Sequence, residues 1–519
     1  MLRSSIANAR TTQGWISVSL MLLAVWSGWE ISGLVASEST VAIAFVGLGV
    51  IMCVIGMSIL NNWRSGFYIF VTWLLFEDLI RKFMGNNMAI YFAKDALALL
   101  TYLSFFAAVR RKKGIVYRFP FMVFLGLFFW LGVLQCFNPE SPSLMYSLLG
   151  FKLYFFYIPL VFIGYSLIRN DRDLSAFLAA IIGLAGLIAI LGILQSIIGP
   201  SFLNPRILAP DIRDLSLLYR YSPESHQSLY QPNSVFVSAG RFDAYLLVSW
   251  ILGLGIGAFL LLKRFRGRTA IFASIGIIAV ALLMCGGRGV LVYAIVSAIV
   301  LAVGFLWGAP WRWGQAHKLM KAIGRTLAVG SLAIVIVASI FPHEVGARLA
   351  YYAETMLPSS PTEQLTDRVQ NYPVQEFKKA FQQGGWVLGH GIGTASLGVQ
   401  YVSRWLGQKP LAIGVESGFG NLVLEYGILG LLLWWLWTSV LLISVWRIVR
   451  RLRQTVYFPL AFSIFWFLFL LLYPMTYGTL NFYQDYVYNA YLWLLVGVVF
   501  RLPALVNQNA RSSHLGVGA

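Results

Sequence analysis

Long apolar runs recur along the entire 519-residue chain, beginning near Trp15, Thr40, Gly66, Met88, Pro120, Tyr146, Leu174, Phe242, Thr269, Val290, Thr326, Glu416, Pro459 and Tyr486. Several exceed the ~18 residues at which a stretch reads as a bilayer-crossing helix, and no large soluble domain fits between them. The expectation is an all-α polytopic membrane protein with about fourteen transmembrane helices. Only 11% of the residues carry charge, against roughly 25% in a soluble domain, which excludes soluble-enzyme folds.

Charge then sets orientation. Lys+Arg 39 against Asp+Glu 20 gives a net +19, but the basic residues cluster between apolar runs and read as topology signals, not as a nucleic-acid face. Arg110 to Lys113, Lys263 to Arg268, Arg312 to Arg325 and Arg447 to Arg453 all fall on one side of the layout. By the positive-inside rule that side is cytoplasmic, with both termini inside. The run from Gly66 fits least well, because Glu77-Asp78 interrupt it and Arg81-Lys82 land on the outer side. The segment Trp15 to Val35 is too long for a secretory signal and lacks a small-residue cleavage site, so it reads as a retained first helix.

The layout places about seven helices over 1–198, about four over 241–341 and about three over 414–503. Between them lie an outer loop at 199–240 and a larger one at 342–413; the tail 504–519 is expected to be cytoplasmic and disordered. In the larger loop, Pro373 to Gly385 starts on proline and ends on paired glycines, with Val374, Phe377 and Phe381 on one stripe. It reads as a short helix lying on the membrane surface. Cys53, Cys136 and Cys285 show neither metal-site nor disulfide spacing and read as buried fillers.

Arg288, in Cys285-Gly-Gly-Arg-Gly, sits at the outer junction of two runs, where glycines permit close approach. A guanidinium there calls for an anion, or else snorkels to headgroups. Arg241 opens a run at the same face, with Asp243 as an alternative structural partner. Arg368 lies in the larger loop with Arg348, Lys378, Lys379 and Arg404, charges that together raise the positive potential of that face. His390 stands in Gly389-His-Gly-Ile-Gly393, which neither follows a strand nor opens a dinucleotide-binding helix, so it is a binding or structural histidine and not part of a nucleotide site.

Glu416 heads a run in which Asn421 and Glu425 share a helix face; an acid there serves either the helix dipole or chemistry. Asp171-Arg-Asp173 has a metal-holding spacing but lies on the cytoplasmic side, where Asp173 reads as an N-cap. No metal and no cofactor is expected. Tyr219, Tyr221, Tyr230, Tyr372, Trp386, Tyr401 and Trp405 either stack on sugar faces or serve as interfacial aromatics.

The Gly-Arg-Gly entry at Arg288, the large outer loop that holds Arg368 and ends in Gly389-His-Gly-Ile-Gly393, and Asn421-x3-Glu425-x-Gly427-x2-Gly430 resemble the O-antigen ligase and O-antigen polymerase (Wzy/WaaL-type) family of membrane glycosyltransferases, over roughly Ser234 to Phe500. The resemblance implies a metal-independent, GT-C-like enzyme that takes a glycan from a polyprenyl diphosphate at the periplasmic face of a bacterial inner membrane. Ligases deliver the glycan to lipid A core, polymerases to another lipid-linked repeat unit. Ligases typically carry a histidine where this chain has Glu416, so the expected activity is polymerisation of surface polysaccharide or exopolysaccharide, with ligation the alternative. The partners implied are the polyprenyl-diphosphate-linked oligosaccharide, an acceptor glycan, membrane lipid and chain-length regulators or other export proteins, with no nucleic acid.

Roles follow from the reaction. Arg288, with Arg241 and Arg368, would neutralise the departing diphosphate; Glu416, ahead of His390, would take the acceptor's proton; Tyr219, Tyr221, Tyr372, Trp386 and Trp405 would contact glycan. The rival of another class is a lipid-linked oligosaccharide flippase, with Lys94-Asp95, Lys152 and Asp485 as cavity charges or, alternatively, internal ion pairs. The long outer loops and the lack of visible duplication between halves stand against it.

Overall fold

The computed structural model describes residues 54–111, 115–263, 268–310, 324, 335, 338–356, 372–409, 411 and 413–515. The runs expected from Trp15, Thr40 and Thr326 lie largely outside the described residues, as do Cys53 and Arg368. Two compact units form, residues 1–71 with 95–108 and residues 72–94 with 109–519. In the first, the start of α1 (Trp63–Phe83) and the body of α2 (Met88–Arg110) set Trp63 edge-on to Phe105 at 5.1 Å.

The second unit holds α3 (Met122–Gln135), α4 (Leu144–Phe155), α5 (Leu160–Leu167), α6 (Asp171–Ile198), α7 (Pro210–Ser216), α8 (Ala239–Lys263), α9 (Arg268–Met284) and α10 (Arg288–Gly308). It continues with α11 (Pro342–Met356), α12 (Tyr372–Gln382), α13 (Val399–Trp405), α14 (Gly418–Arg451), α15 (Phe458–Leu470) and α16 (Tyr486–Leu515). Eight stretches among the described residues are long and apolar enough to cross a membrane: α2, α4 with α5, α6, α8, α10, α14, α15 with the turns that extend it, and α16. The chain is thus a helical membrane protein. α3 and α9 are apolar but shorter, and α1 runs unbroken through Glu77 and Asp78.

Small residues bring these helices close. A Cβ on Gly304 or on Gly308 of α10 would lie 2.0 Å from the rings of Phe462 and Phe458 on α15, so two glycines one turn apart seat two aromatic knobs. α5 crosses α16 in the same manner: a Cβ on Gly164 would meet the Leu494 carbonyl at 2.3 Å, and one on Gly497 the Val161 carbonyl at 2.1 Å.

α14 is interrupted at Gly427, whose φ of 72° suits glycine. The backbone of 386–390 enters the gap. Ile428 N–H donates to the Trp386 carbonyl at 3.0 Å and His390 N–H to the Leu424 carbonyl at 2.7 Å, while Gln135 Nε2 donates to the Leu388 carbonyl at 2.6 Å. The groups freed by the break are re-bonded inside protein, the condition for irregular backbone among spanning helices.

The loop at 199–240 contains an antiparallel hairpin of β1 (Tyr219–Tyr221) and β2 (Ser228–Tyr230), with Tyr219 opposite Tyr230. Two local expectations are corrected. α16 continues to Leu515 through the expected disordered tail, since between Pro503 and Gly516 the sequence has no helix breaker. At the start of α6 the cap is Asn170, which accepts the Asp173 N–H at 2.9 Å, while Asp173 accepts the Arg169 N–H at 3.2 Å. Asp171 instead pairs with Lys263 and the Tyr457 hydroxyl.

Candidate functional site

Two acids inside an apolar helix organise the site. Glu77 and Asp78 are wholly buried near the end of α1, where carboxylates persist only with partners. Glu77 faces Lys94 of α2 at 2.9 Å. Asp78 ion-pairs with Arg81 at 2.9 Å and accepts from Arg241 Nη1 at 2.8 Å and from the Val237 N–H at 3.2 Å. Arg241 Nε reaches Asp485 at 3.2 Å, and another oxygen of Asp485 accepts the N–H groups of Val487 and Tyr488. Burial pushes the Asp485 carboxyl above the usual carboxylate range, against the pull of Arg241. Arg81 and Lys82 therefore depart from the positive-inside pattern for a structural reason: Arg81 is matched by Asp78, and Lys82 donates to Asn204 Oδ1 at 3.0 Å and the Ser234 carbonyl at 2.9 Å.

Beside this network opens a cavity of about 550 Å³ into which Arg81, Lys152, Arg241 and Arg404 project, with no carboxylate among its described lining residues. Tyrosine rings carry the cations. Tyr91 lies 3.3 Å from Lys94 Nζ, 4.5 Å from Lys152 Nζ and 5.2 Å from the Arg81 guanidinium; Tyr486 lies 4.7 Å from both Lys94 and Arg241. Apolar side chains share the lining: Met88, Phe92, Met145 and Leu148 are 41–54% exposed and Trp405 is 74% exposed, with Lys152 Nζ 4.7 Å from the Phe92 ring.

The residues of the last sequence motif brace the segment that closes this cavity. Glu425, buried in α14, accepts from Tyr154 Oη at 2.7 Å, Ser396 Oγ at 2.7 Å and the Ala395 N–H at 3.0 Å. Gln484 donates to Ser396 Oγ at 2.8 Å and accepts the Leu397 N–H at 2.7 Å, and Leu397, Gly398 and Gln484 themselves line the cavity. Asn421 Oδ1 accepts the Val415 N–H at 2.9 Å. Glycines of the 389–393 turn allow backbone to pack on backbone: a Cβ on Gly393 would stand 2.0 Å from the Tyr146 carbonyl, and one on Gly389 2.6 Å from the Glu425 carbonyl.

Of the expected diphosphate ligands, Arg241 lines the cavity and Arg288 does not. Arg288 opens α10 with its guanidinium 5.6 Å from the Tyr351 ring, and Gly287 before it packs closely on Asp243 of α8. Arg368 lies outside the described residues. His390 Nδ1 meets Glu140 at 2.6 Å and Nε2 the Gly384 carbonyl at 2.7 Å; both ring nitrogens face acceptors, which leaves neither as a ready base.

Glu416 is exposed and its backbone N–H donates to Glu376 at 3.1 Å; it is not a lining residue. Glu376, on the face of α12 that packs on α14, is held below the usual carboxylate range by Lys379, then by that N–H. Val374 on the expected stripe is exposed, and Phe377 and Phe381 meet edge-on at 5.2 Å. Among the aromatic candidates, Trp405 and Tyr401 line the cavity, whereas Tyr219, Tyr221, Tyr372 and Trp386 do not.

Sequence reading missed Arg81, Tyr91, Tyr486 and Gln484 as lining residues, and took Arg404 only as one of the charges that raise the positive potential of the outer face. The available signal was the interrupted apolar run itself, since acids and bases within such a run must find one another. Among the described residues no group of three or more His, Cys, Asp or Glu side chains forms a metal cradle. No family model matches this chain, and no curated protein matches it.

Proposed function

We propose that this cavity holds a polyprenyl-diphosphate-linked glycan and that the chain transfers the glycan to a second lipid-linked repeat unit, as a GT-C-like polymerase of about fourteen spans in a bacterial inner membrane, with the cavity facing the periplasm. One observation carries the reading. Four cationic side chains, with no carboxylate among the described lining residues, share one cavity with exposed apolar side chains. A diphosphate matches the cations and a prenyl chain the apolar side chains.

The reaction needs little else at the leaving group. An acceptor hydroxyl attacks the anomeric carbon, the bond from that carbon to the diphosphate oxygen breaks, and the charge gathered on the departing diphosphate is neutralised by Arg241, Arg81 and Arg404 with Lys152. The acceptor's proton goes to a carboxylate; Glu416, exposed beside α14 and outside the cavity lining, is the proposed residue, for an acceptor that extends beyond the cavity. Tyr401 and Trp405, at the mouth, would stack on the sugar.

The test is a strain lacking the gene. The expected result is a single lipid-linked repeat unit accumulating outside, restored to polymer by wild-type protein and not by Arg241→Ala that still inserts. Accumulation on the cytoplasmic side would mean a flippase, and loss of glycan from lipid A core with polymer still made would mean a ligase. For the base, Glu416→Gln should keep donor binding and lose turnover.

A further inference from the structure

We propose that the opposite end of the bundle, where α10 and α14 terminate, is a binding site for an anionic phospholipid of the bilayer, best matched by diphosphatidylglycerol with its two phosphates. Arg447, Arg450, Arg451 and Arg453 are all exposed there, and none has a carboxylate at ion-pair distance among the described residues. All four are arginines, whose planar fork takes phosphate oxygens two at a time.

The arginines are built into a layered surface. The Arg453 guanidinium lies 4.5 Å over the Trp307 ring, and Trp307 stacks on Trp446 at 6.0 Å with planes 7° apart. Gln454 N–H donates to the Gly308 carbonyl at 2.8 Å, which pins the turn after α14 against the end of α10. Phe458 and Phe462 seated on Gly308 and Gly304 hold the same junction. About one turn further into each helix, Val303 and Ile443 are 62% and 51% exposed. Within about two helical turns, some 10 Å, the surface passes from guanidinium to tryptophan to aliphatic. That is the order of phosphate, glycerol interface and acyl chain in a lipid. Retention of basic residues on one side of a membrane accounts for the charge alone; it does not account for a stacked tryptophan pair with an arginine seated on it.

The experiment uses the full chain in detergent, with native mass spectrometry and thermal unfolding after addition of diphosphatidylglycerol or phosphatidylcholine. Wild-type protein should retain diphosphatidylglycerol and unfold at a higher temperature with it, and phosphatidylcholine should do neither. Arg450→Gln/Arg453→Gln should weaken retention by about 25-fold, roughly fivefold per arginine, while unfolding at the wild-type temperature without lipid. Equal retention by that variant, or equal retention of phosphatidylcholine, would overturn the proposal. Displacement of the lipid by its deacylated headgroup at equal concentration would also overturn it, because the site would then be one for free phosphate. Should the double variant not fold, Trp307→Leu supplies the same comparison.

Discussion

Replacing Arg241 by lysine probes the cavity at its most constrained contact. Arg241 uses Nη1 on Asp78 at 2.8 Å and Nε on Asp485 at 3.2 Å, over the ring of Tyr486. An ammonium on a flexible stem keeps the charge but faces one carboxylate at a time, so one charge-assisted contact is lost, roughly 1.5–3 kcal/mol. Neither acid is stranded. Asp78 keeps Arg81 and the Val237 N–H, and Asp485 keeps Val487 and Tyr488. The variant should therefore insert and fold. Against a diphosphate, loss of the fork on the same scale weakens binding by about 10- to 150-fold, at about 1.4 kcal/mol per factor of ten. The assay is binding of a polyprenyl-diphosphate glycan to the protein in nanodiscs, with the unfolding temperature read on the same sample. Wild-type affinity in folded Arg241→Lys would refute the reasoning that a guanidinium fork grips the phosphates.

Arg288→Ala should leave that affinity unchanged in the same assay, and a loss comparable to that of Arg241→Ala would return Arg288 to the site. Lys94→Met should destabilise the chain by roughly 3–5 kcal/mol because Glu77 stays buried without its partner, whereas Glu77→Met/Lys94→Met should recover most of it; additive losses in unfolding temperature would show the pair is not coupled. Glu425→Gln replaces a carboxylate that accepts three hydrogen bonds, at a cost of roughly 1.5–3 kcal/mol, and should speed proteolysis between 389 and 398; an unchanged rate would mean those bonds do not hold the segment. Glu376 titrates below the usual carboxylate range, chiefly because Lys379 donates to it. Its contribution is full above the unfolded value and disappears as pH falls through the depressed one. Protection of α12 from protease should decline over that acid window, and a decline of the same size in Glu376→Gln would assign it to another group.

Hydropathy located the helices because a spanning segment must be apolar over its whole length, a local property that survives without any knowledge of neighbours. The site was less legible for the same reason. Arg241 and Asp78 stand 163 residues apart in sequence, and nothing in either run says that they meet. Motif spacing was a good guide to packing and a poor one to openness: Gly389, Gly393 and Glu425 do draw distant segments together, but as the brace behind the cavity wall. Arg288 was legible as a helix-start arginine framed by glycines, but its contact with the Tyr351 ring, 63 residues on, was not. The run interrupted by Glu77 and Asp78 was the informative one. Its poor fit to the positive-inside rule marks Arg81 and Lys82 as charges held by internal partners, and a helix that retains four ionisable groups within six residues bears a cost that only a network or a ligand offsets. The network accounts for the acids. Arg81 and Arg241 belong to both: each pairs with an acid of the network and lines the cavity proposed to take an anionic ligand.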